Sequence, residues 1–416
     1  MKKKIMVCFV VVCLHLLIGV HADGINVSVN GNTLDFDVAP VVEEGRTLVP
    51  LRAIFEELGA EISWDGETKT IKALKDKKSI ELQIGSYNAK QNGEDVVLEV
   101  PAKIINGRTM VPIRFVSEAM DCVVGWDGVS RTVAIRTANV LNRNLNSKMI
   151  LNKEDGPYII SENFKFEKEG ILEIGEGVEI YLAKEVFVIQ GLIKAEGTQE
   201  APIVFKSHGS GNKEIYLVND DSTFESCVIN SNIKLDKANG TIIKNSVVDS
   251  IQLANSNYVT IIGNTVKSDK YGIELYSSDH ISIKDNNITG RERGITLKVC
   301  ENVVITNNVI SDGDYGIYSN ANFNSKIIGN DITNAKKYGL MIFKSSIGNE
   351  YYYNNFVDNY MNVRAELGAN EINLFDNYWG ATKTELIEKK IMDSRDDQAL
   401  TKVNYVPFLE TPHLRE

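Results

Sequence analysis

Residues that bind metals or form cross-links are scarce in this chain. It has 5 His and 5 Cys in 416 residues, and two of each (His15, His21, Cys8 and Cys13) fall in the first 22 positions. The remaining Cys122, Cys227 and Cys300 are odd in number and scattered, which excludes a disulfide framework and predicts buried free thiols. His208, His280 and His413, with no clustered Met or Cys, offer copper no set of donors, so no metal site is expected. Basic charge is also short. Lys and Arg number 45 against 56 Asp and Glu, a net charge of −11, which disfavours nucleic acid and anionic membranes as partners. With only 8 Pro, long disordered stretches are not expected either.

After the N-terminus no apolar run approaches the roughly 20 residues of a membrane span. The N-terminus itself carries Lys2, Lys3 and Lys4, an apolar run from Ile5 to Val20, and the small-residue exit Val20-His21-Ala22. This pattern predicts a secretory signal peptide over residues 1–22. Its removal takes away three lysines and no acids, moving the charge from −11 to −14, and places the mature chain outside the cell or in its envelope.

What the sequence does have is repetition. Asn264, Asn286, Asn307, Asn330, Asn354 and Asn377 recur about once per coil of a parallel β-helix, each followed two places on by an apolar residue (Val266, Ile288, Val309, Ile332, Phe356, Trp379). Three places before them stand Ile261, Ile283, Val304, Ile327, Tyr351 and Leu374. A fixed period of this length marks a solenoid, in which no repeat buries its own apolar face. Stacked amides about 4.8 Å apart can donate to one neighbour and accept from the other, so an inward Asn ladder satisfies itself. The frame extends back through Asn245, flanked by Ile242 and Val247, to Cys227, flanked by Phe224 and Ile229. Gly272, Gly294, Gly316 and Gly339 mark another corner and are expected to supply a φ > 0 bend.

The front of the chain is duplicated. Residues 45–66 return as 107–128 at an offset of 62, with Gly45-Arg46-Thr47-Leu48-Val49-Pro50-Leu51-Arg52 matching Gly107-Arg108-Thr109-Met110-Val111-Pro112-Ile113-Arg114, and Trp64-Asp65-Gly66 matching Trp126-Asp127-Gly128. Each copy predicts a short helix after its Pro, with Ile54 and Leu58 or Val116 and Met120 on one face, inside a small antiparallel sheet. These strings resemble the N-terminal domain of copper amine oxidases, in tandem over about residues 24–137. The resemblance implies an accessory module, with Arg52 and Arg114 as candidate contacts to a wall polymer or as structural partners. Nothing in the chain matches the copper and quinone centre of those oxidases.

A polar stretch, residues 138–156, reads as a linker. From Pro157-Tyr158-Ile159-Ile160 onward, short strands closed by Gly, and the Asn coils after them, resemble secreted right-handed β-helix proteins of the pectin-lyase-like superfamily. Asp376-Asn377-Tyr378-Trp379-Gly380, a helix from Glu385 to Met392 and a strand from Val403 to Phe408 resemble the closing segment of that superfamily. The fold class expected is mainly β: a right-handed parallel β-helix over 157–380, a cap over 381–416, and an N-terminal pair of small α+β units.

Function is less legible. Alternation after each Gly sends Ile273, Leu275, Ile295, Leu297, Leu340 and Ile342 inward, and Glu274, Tyr276, Thr296, Lys298, Tyr318, Asn320, Met341 and Phe343 outward. Tyr276, Tyr318 and Phe343, with Glu274, Arg293 and Lys298, are the candidate ligand site. Flat rings with charges between them suit sugar rings and uronate carboxylates. The catalytic candidates Asp279, His280 and Glu301 stack at corresponding turns, near Arg291, Glu292 and Arg293; solvated turn charge explains them better. The Gly-Asp-Asp, Gly-His-Gly and Arg-Ile-Lys strings of pectin hydrolases are missing. No cofactor is expected; Asp220, Asp221, Asp312 and Asp314 could ligate calcium but form no dense motif. The reading is an exported envelope protein that binds a polysaccharide or cell-wall polymer along one β-helix face. A polysaccharide lyase, hydrolase or epimerase is the rival, and a copper-handling accessory protein the third reading.

Overall fold

A computed structural model describes residues 24–209, 211–344, 347–366 and 371–415. The predicted leader lies outside the described residues. Two compact units divide at Arg136/Thr137.

The front unit joins its two sequence copies by strand exchange, where each had been expected to close its own sheet. Asn26–Val29, from the first copy, pairs in parallel with Thr132–Thr137 at the end of the second. Arg46–Pro50 pairs antiparallel with its own duplicate, Arg108–Pro112. The expected helices form at Leu51–Glu57 and Ile113–Ala119, each with its Pro at the N-cap. Ile54, Leu58, Val116 and Met120 are buried in one shared core, as the helical spacing requires.

The second unit is a right-handed parallel β-helix. A 10-stranded sheet, one strand per coil, runs from Lys148–Leu151 to Glu350–Tyr352, and a 21-stranded sheet wraps the other faces. Residues 138–156 are therefore no linker. Asn139–Leu141 pairs with Tyr158–Ile160, and Lys148–Leu151 pairs with Ile171–Ile174, so this stretch builds the first coil. At the other end the expected helix is a single turn, Thr384–Glu388. Ile391–Met392 then extends the large sheet, and Lys402–Asn404 pairs with Glu371–Asn373.

The Asn ladder is present but shifted by one residue at two coils. Amide Nδ2 to Oδ1 bonds run Asn264 to Asn286 (3.0 Å), Asn286 to Asn308 (2.9 Å), Asn308 to Asn330 (2.9 Å), Asn330 to Asn354 (3.0 Å) and Asn354 to Asn377 (3.0 Å). Asn308, not Asn307, is the inward residue, and Ile305 and Ile310, not Val304 and Val309, are its buried neighbours. Likewise Ser246, not Asn245, continues the ladder: its backbone N–H donates to Asn264 and its hydroxyl oxygen accepts from the N–H of Cys227. One slip in a period-2 strand moves every side chain to the other face.

The backbone explains the slip. Ser226, Asn245, Gly263, Asp285, Asn307, Gly329, Tyr353 and Asp376 all have φ between 49° and 68°, and each immediately precedes a ladder residue. The bend is thus made by the residue before the ladder, where Asn, Asp and Gly are tolerated. Gly272, Gly294, Gly316 and Gly339 do not have positive φ. Their role is close approach: a Cβ on Gly294 would meet the Ile310 Cγ2 at 2.4 Å and the Gly316 carbonyl at 2.8 Å. Only a residue without a side chain lets successive coils stack at that corner.

Candidate functional site

One face of the large sheet is built from Tyr271–Tyr276, Arg293–Lys298, Tyr315–Asn320, Tyr338–Phe343 and Met361–Glu366, which pair in register. Register places equivalent residues in columns along the solenoid, one per coil about 4.8 Å apart. The column beside the bend reads Tyr271, Arg293, Tyr315, Tyr338 and Met361. The next outward column reads Glu274, Thr296, Tyr318, Met341 and Arg364, and the last Tyr276, Lys298, Asn320, Phe343 and Glu366.

Rings and guanidiniums interleave here. The Arg293 guanidinium lies 4.0 Å from the centroid of Tyr318, 5.4 Å from Tyr271 and 5.7 Å from Tyr315. Tyr315 stacks on Tyr338 at 5.9 Å and meets Tyr318 edge-on at 6.1 Å. Arg364 donates to the Tyr338 hydroxyl (3.0 Å) and pairs with Glu366. Arg293, Tyr315, Tyr318, Tyr338, Phe343 and Arg364 line a cavity of about 560 Å³. A neighbouring cavity of about 720 Å³ shares Arg293 and Tyr315 and adds Asp269, Arg291, Glu292 and Asp314. Lys336 and Lys337 border both; Lys337 pairs with Asp314 at 2.8 Å, which holds its ammonium pKa above the usual lysine value.

Of the predicted ligand residues, Arg293, Tyr318 and Phe343 come together. Tyr276 does not: it is half-exposed, three coils from Phe343 in the same column, and lines neither cavity. Glu274 and Lys298 pair with each other at 2.7 Å. Thr296 and Met341 point outward by register yet are buried, because Thr296 is short and stands between Glu274 and Tyr318 in its column. Tyr315 and Tyr338, beside the bend, join Arg293, Tyr318 and Phe343, as do Arg364 and Tyr360, which sequence reasoning missed. Arg364 was findable from the coil period: it lies one coil on from Met341. Three buried polar atoms on this face have no hydrogen-bond partner: Thr296 Oγ1, Asn320 Oδ1 and Arg364 Nε. A buried group left unpaired costs about 1 to 3 kcal/mol, so such atoms ask for an explanation.

The catalytic candidates occupy the far edge of the same strands. Asp279 and Glu301 stack through an isolated parallel bridge. The Asp279 Oδ2 lies 2.8 Å from the His280 Nδ1, and the His280 ring packs on Tyr258 at 4.9 Å. Partial burial pushes the Asp279 carboxyl up, but hydrogen bonds from Asn302 and His280 outweigh it and hold the group below the ordinary carboxylate range. Glu301 is turned instead to Asn324 (3.1 Å). The three therefore form a local turn network and do not converge on either cavity.

Among the described residues no group of three or more His, Cys, Asp or Glu is placed to hold a metal. His208, His280 and His413 pack on Tyr181, Tyr258 and Tyr353 respectively. Cys122, Cys227 and Cys300 are buried free thiols, and burial pushes the Cys227 thiol up to about 12, far from the thiolate a soft metal needs. Asp220 accepts from Asn239, and Asp314 is paired with Lys337.

Residues 28–135 match the family described as Copper amine oxidase N-terminal domain. A protein described as "Protease inhibitor" from Brevibacillus choshinensis is 24% identical over 228 residues, covering 54% of this chain and 67% of that protein. Among solved structures, a mutant of the periplasmic alginate epimerase AlgG aligns over 64% of this chain and 78% of its own, at 13% identity and a TM-score of 0.33. Tailspike protein 3 of Bacteriophage CBA120 aligns over 92% and 85%, at 10% identity and a TM-score of 0.35. Residues 184–394 match the family described as Periplasmic copper-binding protein (NosD). The His and Cys donors above do not fit a copper ion, and the chemistry of the exposed face is that of its rings and guanidiniums. That last match spans half of the chain, and the protein belongs to this NosD family.

Proposed function

We propose that this is an extracytoplasmic protein that binds an acidic carbohydrate polymer along the Tyr and Arg face of its β-helix. The observation that carries the reading is the Arg293 guanidinium set among Tyr271, Tyr315 and Tyr318, one coil from the Tyr315–Tyr338 stack. Tyrosine faces cover the apolar face of a sugar ring, and a guanidinium held by rings keeps its N–H fork free for a carboxylate. The partnerless Thr296, Asn320 and Arg364 atoms supply further donors and acceptors once side chains adjust to a ligand. The location follows from the family's periplasmic description and the signal-like N-terminus.

Electrophoresis through gels containing polygalacturonate or dextran tests this. The chain should be retarded by polygalacturonate and not by dextran, with retardation weakening as salt rises. Arg293→Ala should lose most of it without a change in melting temperature. Equal retardation in both polymers, or an unchanged Arg293→Ala variant, would count against the reading; shortening of the polymer would convert it into the enzymatic one.

A further inference from the structure

We infer that the front unit carries a separate slot that takes an aromatic side chain from a basic polypeptide segment. Along the Val49–Val111 seam the two copies of this unit are related by an internal two-fold; farther out they differ, since Asn26–Val29 pairs directly with Thr132–Thr137 while Lys78–Gln83 stands between their counterparts Asn88–Gln91 and Thr70–Lys75. Exchanging them at the offset of 62 turns the pairing Pro50↔Met110 into Leu48↔Pro112, both present around Val49↔Val111. The ion pair Arg46–Glu99 becomes Arg108–Asp37. The helix pair Arg52–Glu56 at 4.0 Å becomes Arg114–Glu118 at 3.9 Å. Trp64 and Trp126 are both half-exposed, and a Cβ added to the Gly two places on would meet the indole Nε1 at 3.6 Å in the first copy and 3.5 Å in the second.

The copies differ at one decisive position. Phe115 of the second copy is half-buried against the shared core, and its counterpart is Ala53. Around Ala53 a cavity of about 390 Å³ is open, floored by Phe36, Leu51, Ile62 and Ile71 and walled by Trp64. Its volume is within the usual range for a ligand pocket. The second copy carries a phenyl ring at the same helix position, packed against the shared core, which favours a ring as the occupant of the open slot. The rim sets the charge of the partner. Asp35, Asp37 and Glu56 stand against Arg52 and Arg108, leaving one carboxylate in excess on a chain of net charge −11, so a cation beside the ring is favoured.

The three Trp indole N–H signals of the full chain (Trp64, Trp126, Trp379) give the test. Acetyl-Lys-Phe-Lys-amide should shift the Trp64 signal saturably, and acetyl-Lys-Ala-Lys-amide should bind roughly tenfold more weakly or worse. Ala53→Phe should abolish the response by filling the slot as Phe115 does; Ala53→Leu, a smaller plug, should weaken it if the Phe variant does not fold. Phe115→Ala should make Trp126 respond to the Phe peptide, more weakly than Trp64 does, because Val97 stands where the first copy has Asp35. No shift at Trp64, equal binding of the Ala peptide, saturation by chitohexaose instead, an unchanged response in the folded plugged variant, or a silent Trp126 in folded Phe115→Ala would each overturn the proposal.

Discussion

The early and late coils of the solenoid meet the same packing problem with different residues. From Phe164 to Phe224 the core is dense in Phe, with Phe164, Phe166, Phe187, Phe205 and Phe224 all buried, and the first ladder positions are Cys227 and Ser246. From Asn264 onward the ladder is Asn, and the interior beside it is mainly Ile, Leu and Val. Outside, early coils present Val188, Tyr216, Lys234 and Gln252 in the column that later holds Tyr318 and Arg364, with the Lys234 ammonium 5.1 Å from the Tyr216 ring centroid. Coils of both regions hold equivalent outward residues in register columns, but the Arg293 and Arg364 guanidiniums that lie over the tyrosines of this face belong to the late coils. The regular Asn interior thus accompanies the face that forms the candidate site.

The comparison can be broken from the inside. Asn308→Leu removes the acceptor of two Asn286 donors and a donor to Asn330, so a loss of about 3 to 5 kcal/mol is expected by chemical denaturation. The neighbouring Asn307→Leu, which places a Leu at φ 57° outside the ladder, should cost about 1 to 2 kcal/mol. Equal effects would show that the ladder does not hold the late coils. Gly294→Ala comes next, at about 1 to 3 kcal/mol, because its new Cβ meets Ile310 and a carbonyl of the next coil. A melting temperature equal to wild type would remove close packing as the reason for that glycine. In the early coils Ser246→Ala should cost only about 1 kcal/mol, since one hydroxyl replaces the whole amide there.

Acid sensitivity sharpens the picture at the closing segment. Burial raises the Asp393 carboxyl, but hydrogen bonds from Arg395 and Val403 more than offset this and leave its pKa lowered. A depressed folded value means that its stabilisation is complete above the unfolded value, about 3.9, and is lost as pH falls through the folded one. Melting temperature should therefore fall less between about pH 5 and about pH 2.5 in Asp393→Asn than in the wild type. Parallel acid limbs would contradict it. The smallest effect belongs to Tyr276→Ala, which should leave both stability and polymer retardation within error, while Tyr318→Ala weakens retardation.

The coil period, the inward strand residues and the two front helices were legible in the sequence because each rests on a local periodicity. What misled was the doublet. Asn307-Asn308 is flanked by Val304-Ile305 and Val309-Ile310, so either frame satisfies an apolar pattern; only the αL preference of the preceding residue decides, as Gly263, Asp285 and Gly329 show in the other coils. The glycines at the other corner were misread because a missing side chain serves close approach as well as positive φ. The face was half legible: alternation finds outward residues, but which columns converge depends on coil-to-coil register, and so Tyr276 was included and Arg364 left out. The strand exchange of the front unit leaves no local trace, since either copy could close on itself by pattern alone.

Hydrogen exchange of backbone amides with and without polygalacturonate most directly tests whether the late face is the binding surface. Protection is predicted in Tyr315–Asn320 and Tyr338–Phe343, with the early strands Glu214–Leu217 and Val186–Ile189 unchanged. Protection centred on the early coils or on the Asp279–His280 turn, or none anywhere at saturating polymer, would contradict the account.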